Sequence, residues 1–418
     1  MEIWVILALL ASGFVSQGVS QDQSSQDQST QGANRVAPQT RAGQIEIERE
    51  QKAAQLEPET SSRFERDLQR FEEDHVIERV FGNADGLHVK LGGLITRSGF
   101  AAGPEYDYHL FDNQALFSAT LRASTRRYYL MQTGLDFNHL ASGHAFADIY
   151  ATHFDYPSVE YYGPGPHSQK SGRSDYLLEN TSFNTRLGIR PVEHLWLGTL
   201  GQFLAVHVGP GRDTEYASTT APYNDATTPG LDRQGSFLEG GGFIQYDWRD
   251  HPLFPRSGGN YIAQFTTYDA LDGAYSFDRL RLEAQEYIPF FNKLRTIALR
   301  ARVEAGQPWG GDRIPFYLQS TLGGSDDLRG YRAFRFYGNN ATLVNAEYRW
   351  QVFSGMEVAL FADAGRVFDR WQDINFRQVE TDFGAGWRFN MSDAVFMRID
   401  AGFSHEGFAV WLKFGNIF

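Results

Sequence analysis

The sequence predicts an all-β fold: a 16-stranded antiparallel transmembrane β-barrel preceded by a disordered and partly helical N-terminal segment. Three observations predict it. Apolar and polar residues alternate with a period of two from about residue 82 to the end of the chain. The alternating segments are 10–15 residues long, whereas strands of soluble sandwiches have about five or six residues. Long and short connections also alternate along the chain.

The segment 341–352 illustrates the alternation and its chemistry. One face is apolar or aromatic, and the other carries both signs of charge. The first face contains Thr342, Val344, Ala346, Tyr348, Trp350 and Val352, and the second contains Leu343, Asn345, Glu347, Arg349 and Gln351. An apolar outside and a polar inside are what a barrel in a lipid bilayer requires. This pattern therefore favours a membrane barrel over a soluble sandwich.

Sixteen alternating segments can be counted. The expected strands are 86–95, 99–109, 114–125, 127–137, 145–155, 176–190, 194–208, 236–249, 259–270, 276–288, 294–306, 341–352, 356–365, 378–389, 394–403 and 408–418. Short connections such as FDNQ, PVE and SGM follow even-numbered strands, and the longest follow odd-numbered strands, at 156–175, 209–235, 307–340 and 366–377. Short turns at one end and long loops at the other are typical of outer-membrane barrels.

The N-terminal 80 residues have a different composition. Residues 1–20 contain a short apolar core followed by small residues, which is typical of a secretory signal. Residues 21–43 are rich in Gln and Ser, so we expect disorder. Residues 44–80 contain helical periodicity, which predicts either a linker helix or a segment that docks in or under the barrel. The barrel domain is then expected to span residues 81–418.

Composition excludes several classes of function. The chain has no Cys, which rules out disulfides, thiol catalysis and Cys-based zinc sites. Its net charge of −13 argues against nucleic-acid binding. The sequence contains neither G-x-S-x-G nor H-E-x-x-H, and its 11 His are scattered. We therefore expect no enzyme activity, no catalytic residues, no cofactor and no metal site.

Four motifs carry a resemblance to a known family. LRGY at 328–331 lies in the loop between the eleventh and twelfth expected strands, and FADAG lies at 361–365. YDWRDHPLFPRSGG occupies 246–259, ahead of the ninth strand, and GNIF closes the chain at 415–418. In this order, residues 236–418 resemble the bacterial surface antigen family of BamA- and TamA-like outer-membrane assembly barrels. The resemblance is weak over 82–235.

The resemblance implies that the loop 307–340 folds into the barrel lumen. Arg329 is then the tip that pairs with acidic groups on the inner wall, and Asp363 and Glu347 match the two acidic positions. Gly330 and Tyr331 complete the tip motif. A guanidinium can form forked, charge-assisted bonds to carboxylates, which offsets the cost of its burial.

The other two motifs are implied to be structural. The strand–turn motif comprises Asp247, Arg249, Pro255 and Gly258, and the terminal strand signal comprises Gly415 and Phe418. Family assembly factors carry POTRA modules ahead of the barrel, and none fits residues 21–80, so the resemblance is to a POTRA-less member. The patatin-type lipase of some relatives is also missing.

The resemblance implies residence in the bacterial outer membrane and insertion or translocation of outer-membrane proteins, or lipids, through a lateral seam. Expected partners are outer-membrane lipids, lipopolysaccharide and unfolded outer-membrane protein clients. Two alternatives remain open at this point. One is a passive porin or solute channel, and the other is a structural surface antigen or adhesin that acts through the loops 156–175 and 209–235.

Overall fold

The structure is a computed structural model that describes residues 85–414, except for residues 96, 354, 374–377 and 392–393. The expected signal, disordered and helical segments lie outside the described residues. So does the terminal motif with Gly415 and Phe418. Within the described part of the chain, no helix has the length and apolar character needed to cross a membrane.

Eighteen strands follow one another along the described chain. They are β1 (Gly86–Gly92), β2 (Ala101–Leu110), β3 (Ala115–Ser124), β4 (Tyr129–Leu140), β5 (Ala145–Tyr161), β6 (Ser174–Val192), β7 (Leu195–Pro210), β8 (Ser236–Asp247), β9 (Gly258–Ala270), β10 (Phe277–Phe290), β11 (Arg295–Pro308), β12 (Ser320–Leu322), β13 (Phe336–Gly338), β14 (Asn340–Phe353), β15 (Met356–Phe368), β16 (Glu380–Met391), β17 (Ala394–Ser404) and β18 (Gly407–Lys413). Sixteen of them form one antiparallel sheet in sequence order, and β12 and β13 form a separate hairpin. The predicted 16-stranded all-β architecture is confirmed.

The largest departure from the expected strand ends is at β5 and β6. These strands extend to Tyr161 and back to Ser174, and the two residues are paired. The register shifts between Tyr156 and Val159, where Pro157 interrupts the alternation. A bulge of this kind adds unpaired residues to one strand, so the period of two is lost although pairing continues beyond it. The strand end predicted from the alternation, at residue 155, therefore comes before the observed end of β5 at Tyr161.

The two faces of each strand have the environments that the alternation predicts. On β14, Val344 is 53% exposed and Trp350 is 44% exposed, whereas Asn345 and Glu347 are buried. The exposed apolar side chains of the other strands, such as Leu360 and Phe383, lie on the same outer face. The charged side chains therefore point inward, toward the lumen, and the apolar side chains form the outer surface.

β1 and β18 occupy the two ends of the strand order. Among the described residues, each pairs with only one neighbouring strand. The two ends approach each other near Gly92 and Phe414, and the rings of Phe100 and Phe414 lie 6.0 Å apart in an edge-to-face arrangement. Within the described residues, β1 ends at Gly92 and β18 ends at Lys413, next to this contact. We call the gap between β1 and β18 the seam.

The long loops pack together over one end of the barrel. Aromatic residues of the lumen-entering loop and of the adjoining ends of β5 and β6 form a buried cluster that includes Tyr161, Tyr176, Phe316 and Tyr337. Tyr161 lies at the centre, with edge-to-face ring contacts to Phe316 at 5.2 Å and to Tyr337 at 4.9 Å. The Tyr337 hydroxyl donates a hydrogen bond of 2.8 Å to the Glu160 carbonyl oxygen. This cluster fixes the loop that enters the lumen.

Candidate functional site: an arginine lock inside the barrel

Residues 309–339, which we call the lumen loop, connect β11 to β14, the eleventh and twelfth barrel strands. Its hairpin, β12 and β13, forms a stem, and the residues between them turn into the barrel. Gly323 and Gly324 have φ angles of +112° and +107°, which glycine adopts readily. A Cβ on Gly323 would lie 2.4 Å from the Arg332 carbonyl oxygen. These glycines therefore permit the tight reversal at the base of the tip.

Arg329 is completely buried at the tip of this loop. Its Nε and Nη2 atoms donate hydrogen bonds of 2.8 and 2.7 Å to the two carboxylate oxygens of Asp363 on β15. Its Nη1 donates to Glu347 on β14. The guanidinium also lies 3.5 Å from the centre of the Phe361 ring. The structure thus brings together the three residues predicted to pair, and we call them the arginine lock.

The arginine lock is part of a larger buried charge network. Glu347 also accepts hydrogen bonds from Arg349 at 2.7 Å and from Arg388 at 2.8 Å. Arg388 in turn donates to Asp400 on β17 at 2.6 Å, and Arg398 approaches the same carboxylate at 3.4 Å. Alternating charges on four neighbouring strands compensate one another, which is the condition for burying ions.

Sequence reasoning assigned no partner to Arg388, Arg398 or Asp400. Their position on the polar face of β16 and β17 is visible in the alternation, because Arg388 follows Trp387 and Asp400 follows Ile399. That signal indicates the lumen but not the partner, since a lumenal side chain can reach several neighbouring strands.

The backbone of the tip lies directly against β17. A Cβ on Gly402 would lie 2.5 Å from the carbonyl carbon and oxygen of Arg329, and a Cβ on Gly330 would lie 2.6 Å from the Asp382 Cβ. The Ser404 hydroxyl donates a hydrogen bond of 2.9 Å to the Gly330 carbonyl oxygen. Gly330, predicted for the tip, and Gly402, which the sequence did not single out, together allow this close approach.

The tip also contacts the last strand, β18. The indole Nε1–H of Trp411 donates a hydrogen bond of 2.7 Å to the Arg329 carbonyl oxygen. Lys413 donates one of 3.0 Å to Asp326, two residues beyond Gly324 in the tip. Arg398 on β17 donates to the same carboxylate. Together with the arginine lock, these bonds connect the loop tip to β14, β15, β17 and β18.

Tyr331 anchors the side of the tip nearest the long loops. Its hydroxyl donates a hydrogen bond of 2.7 Å to Glu380, and the His405 Nδ1 lies 3.0 Å away. Arg335 binds Glu406 through Nε and Nη2 at 2.8–3.0 Å, and its Nη2 donates to the Ser168 carbonyl oxygen at 2.7 Å. Phe334 and Tyr337 pack in the aromatic cluster around Tyr161, and Phe336 packs in a second apolar cluster with Leu322 and Leu328. The lumen loop is thus held both at its tip and at its stem.

The strand–turn motif forms a separate structure between β8 and β9. Arg249 binds Asp247 through Nε and Nη2 at 2.9 and 2.7 Å. Pro255 is buried. Gly258 has a φ of +96°, and a Cβ there would lie 2.3 Å from the Trp248 carbonyl oxygen. The structure places these four residues together in the turn, outside the arginine lock.

Asp250 organises the same turn. Its Oδ1 accepts hydrogen bonds from the backbone N–H groups of Arg256 and Ser257 at 2.9 and 3.0 Å, and Lys293 reaches its Oδ2 at 3.2 Å. Burial raises the pKa of this carboxyl, but the backbone donors and Lys293 outweigh it and lower the pKa to about 2. The carboxylate form therefore holds the turn at the short-turn end of the barrel.

Comparisons with known proteins agree with this architecture. A family model described as the Omp85 superfamily domain matches residues 122–403. BamA from Haemophilus ducreyi lacking POTRA domains 1-3 has a similar structure, with a TM-score of 0.59 and 14% identity over 80% of this chain and 70% of that chain. CdiB from Escherichia coli has a TM-score of 0.54 and 13% identity over 84% of this chain and 70% of that chain.

At these identities the two solved structures show a shared fold. No curated protein matches the chain. The family model covers more than half of the 418 residues, including the lumen loop and both acidic positions of the arginine lock. The chain therefore belongs to the Omp85 superfamily and is a BamA-like β-barrel of the bacterial outer membrane.

Proposed function

We propose that this barrel inserts or translocates outer-membrane proteins through the seam between β1 and β18, while the lumen loop stays fixed by the arginine lock. The observation that carries the proposal is the pair of strand edges at the seam. Over the described residues, β1 and β18 each have one neighbour in a sheet that otherwise pairs strand by strand.

A strand edge with free N–H and C=O groups is a template for another strand. An unfolded outer-membrane protein consists of segments that require such pairing, and strand addition supplies main-chain hydrogen bonds without demanding a particular sequence. The outer faces of both edge strands are apolar, with Leu87 on β1 and Phe408, Val410 and Leu412 on β18 exposed. A client strand paired at this edge would have its apolar face directed toward the lipid.

The lumen loop supports the same proposal because it steadies one edge. The Trp411 hydrogen bond and the Lys413–Asp326 bond tie β18 to the tip of the loop. β1 has no comparable described bond to the loop, so the two edges are held unequally. We propose that β1 is the strand that moves when a client enters and that β18 is the fixed template.

The proposed partners are unfolded outer-membrane proteins and the surrounding lipids, including lipopolysaccharide. The proposal includes no enzyme activity and no catalytic residue. A passive channel is the competing function. The position of the tip favours insertion over conduction, since Arg329, Leu328 and Tyr331 are buried in the lumen where a porin has its water-filled path.

The absence of Cys from the sequence permits a clean test with an engineered disulfide across the seam. A Cβ on Gly92 would lie 4.0 Å from the Phe414 Cβ, within the range of about 3.5–4.5 Å that a disulfide needs. The double variant Gly92→Cys/Phe414→Cys is reconstituted in lipid vesicles, and the folding of a urea-unfolded outer-membrane barrel is followed in oxidising and reducing buffer. Each single Cys variant is the matched control.

We expect the unmodified protein and the reduced double variant to accelerate client folding, and the oxidised double variant to lose most of that acceleration. Comparing redox forms of one variant cancels any strain from Cys at position 92. No acceleration by the unmodified protein would contradict the insertion function. Equal acceleration by both redox forms would contradict the seam. Depletion of this protein in cells should reduce the amounts of other outer-membrane barrels, which a survey of the outer membrane would measure.

A further inference from the structure

Three chemically complementary side chains meet on the lumenal face of the first two strands. His88 on β1 lies opposite Glu105 on β2, and Asp107 is two residues further along β2. One nitrogen of His88 and one carboxylate oxygen from each acidic residue lie within 4.8 Å of one another. In the described part of the chain, this is the one such group of three or more potential metal ligands. We call it the edge site.

The distances in the edge site fit a tetrahedral metal ion. His88 Nε2 lies 3.3 Å from Glu105 Oε2 and 3.3 Å from Asp107 Oδ2. Zn²⁺ binds N and O ligands at about 2.0–2.2 Å, so neighbouring ligand atoms on its tetrahedron are about 3.4 Å apart. Two of the three edges therefore already have the required length. The third edge joins two carboxylates, whose mutual repulsion a divalent cation would remove.

The surroundings also orient the ligands. Glu105 Oε1, the oxygen that faces away from His88, accepts a hydrogen bond of 2.9 Å from the Thr120 hydroxyl and another from Lys90. This leaves Oε2 directed toward His88 and Asp107. Hydrogen bonds to the far side of a ligating carboxylate are a regular feature of metal sites. The His88 side chain is only 8% exposed, so its ring is held inside the lumen.

A salt-bridged cluster without a metal is the competing interpretation. A protonated His88 and Lys90 would then neutralise the two carboxylates. However, Lys90 is 44% exposed at its side chain and contacts only the Oε1 side of Glu105. The His88 contacts at 3.3 Å are long for charge-assisted hydrogen bonds, which are about 2.7–2.9 Å. The spacing suits an ion placed between the three groups better than direct bonds.

We propose that His88, Glu105 and Asp107 form a binding site for a divalent transition-metal ion, best matched by Zn²⁺, with water as the fourth ligand. Thr120 is a positioning residue that orients Glu105. The ion links β1 to β2 and so adds a cross-strand bond to the edge strand of the barrel, near the short-turn end. Binding at this site does not depend on the function proposed above.

The test measures zinc on the full-length, untagged protein in lipid vesicles by equilibrium dialysis against micromolar ZnCl₂, followed by elemental analysis. The ligand variants are His88→Ala and Asp107→Asn, and the positioning variant is Thr120→Val. His109→Ala is the matched control, because His109 lies on β2 with Glu105 and Asp107 but pairs with Asp85 outside the site. Heat-modifiable gel mobility checks that each variant is folded.

We expect one zinc per chain in the unmodified protein and in His109→Ala. Affinity should fall more than about 100-fold in either ligand variant and about 10- to 100-fold in Thr120→Val. Zinc should also slow hydrogen exchange of residues 86–92 in the unmodified protein but not in Asp107→Asn. Folded ligand variants that bind zinc as tightly as the control would overturn the site. Displacement of zinc by equimolar Mg²⁺ or Ca²⁺ would overturn its assignment to a transition metal.

Discussion

At the scale of single residues, Arg329 connects the lumen loop to the barrel wall. Its guanidinium satisfies both oxygens of Asp363 and one of Glu347, and its face stacks on Phe361. Taking such an ion out of water costs several kcal/mol or more, and only a well-matched set of partners offsets that cost. We therefore expect the side chain to specify where the loop lies more than to add net stability.

Replacing Arg329 by Ala should destabilise the lumen loop. Asp363 would lose both guanidinium bonds and keep Asn345 as a donor, whereas Glu347 would keep Arg349 and Arg388. Leaving a buried charge without its partner costs roughly 3–5 kcal/mol. We expect proteolytic cleavage within residues 323–338 in the variant, and none in the unmodified protein under the same conditions.

Arg329→Lys tests whether the forked geometry of the guanidinium, beyond its positive charge, is needed to hold the loop. An ammonium group cannot bind both oxygens of Asp363 in the forked geometry, so cleavage of the loop should be intermediate. Arg281→Ala is a suitable control, because the Arg281 side chain is 41% exposed. If Arg329→Ala keeps the loop as protected as this control does, the lock does not hold the loop.

The members of the arginine lock could be predicted from the resemblance to the family, and the alternation of the strands agrees with that assignment. The tip motif lies in the expected loop, and Glu347 and Asp363 lie on the polar faces of the next two strands. The contributions of Arg388, Asp400 and Trp411 could not be predicted. Alternation assigns a face to each side chain, but the tilt of the strands and the depth of the loop decide which side chains meet.

At the scale of secondary-structure elements, β17 and the loop tip are packed backbone against backbone. Gly402→Ala would place a Cβ 2.5 Å from the Arg329 carbonyl group, where neither backbone can yield easily. Overpacking of this kind costs typically about 1–3 kcal/mol. We expect a lower unfolding midpoint in urea and faster hydrogen exchange in residues 323–338.

Gly240→Ala on β8 is the matched control for this substitution. A Cβ at Gly240 meets no atom within 4 Å, and alanine is slightly favoured over glycine in a strand. It should leave the unfolding midpoint unchanged or raise it a little. An equal effect of the two substitutions would show that the tip does not press on β17.

The turn between β8 and β9 should make stability depend on pH. The folded pKa of Asp250, about 2, is below the ordinary value of 3.8. The stability it contributes is therefore complete above about pH 4 and is lost as pH falls toward 2. Asp250→Asn should be less stable than the unmodified protein at pH 7, and the difference should shrink between pH 4 and pH 2. Unfolding curves at each pH measure this difference, and a constant difference would contradict it.

The elements themselves were largely predictable, for a physical reason. Successive side chains of a barrel strand face lipid and lumen in turn, so the alternation of apolar and polar residues persists over the whole length of the strand. The prediction lost accuracy where the separation ends. Beyond Tyr156, both faces of β5 and β6 pack against loops, and residues such as Val159 and Tyr176 are buried without alternation. The contacts inside the loops leave no periodic signal.

At the scale of the whole molecule, the apolar outer surface is what keeps the barrel in the bilayer. Leu360 lies near the middle of β15 and is 56% exposed. Leu360→Arg should cost roughly 2–4 kcal/mol, the cost of a basic residue at the bilayer midplane. Leu253→Arg, in the turn between β8 and β9, is the matched control, because Leu253 is 69% exposed but lies outside the strands.

Folding into lipid vesicles, followed by heat-modifiable mobility, should distinguish the two variants. Leu360→Arg should fold with lower yield or unfold at lower urea than the unmodified protein, whereas Leu253→Arg should match it. In detergent micelles, which deform around a charge, the difference should become smaller. A difference of the same size in both media would mean that the outer surface is not set by the bilayer.

Arg329 connects the two ends of the run of barrel strands from β14 to β18. The side chain of Arg329 is bound to β14 and β15, while its own carbonyl oxygen is bound by Trp411 on β18. A single residue therefore spans an arc of five neighbouring strands as a crosspiece, and the curvature of that wall is fixed from within. We therefore expect a change in barrel circumference to occur outside this arc, beginning across the seam, where β1 pairs only with β2 among the described residues. Arg329 thus separates the part of the barrel wall that keeps its curvature, β14 to β18, from the part that can deform.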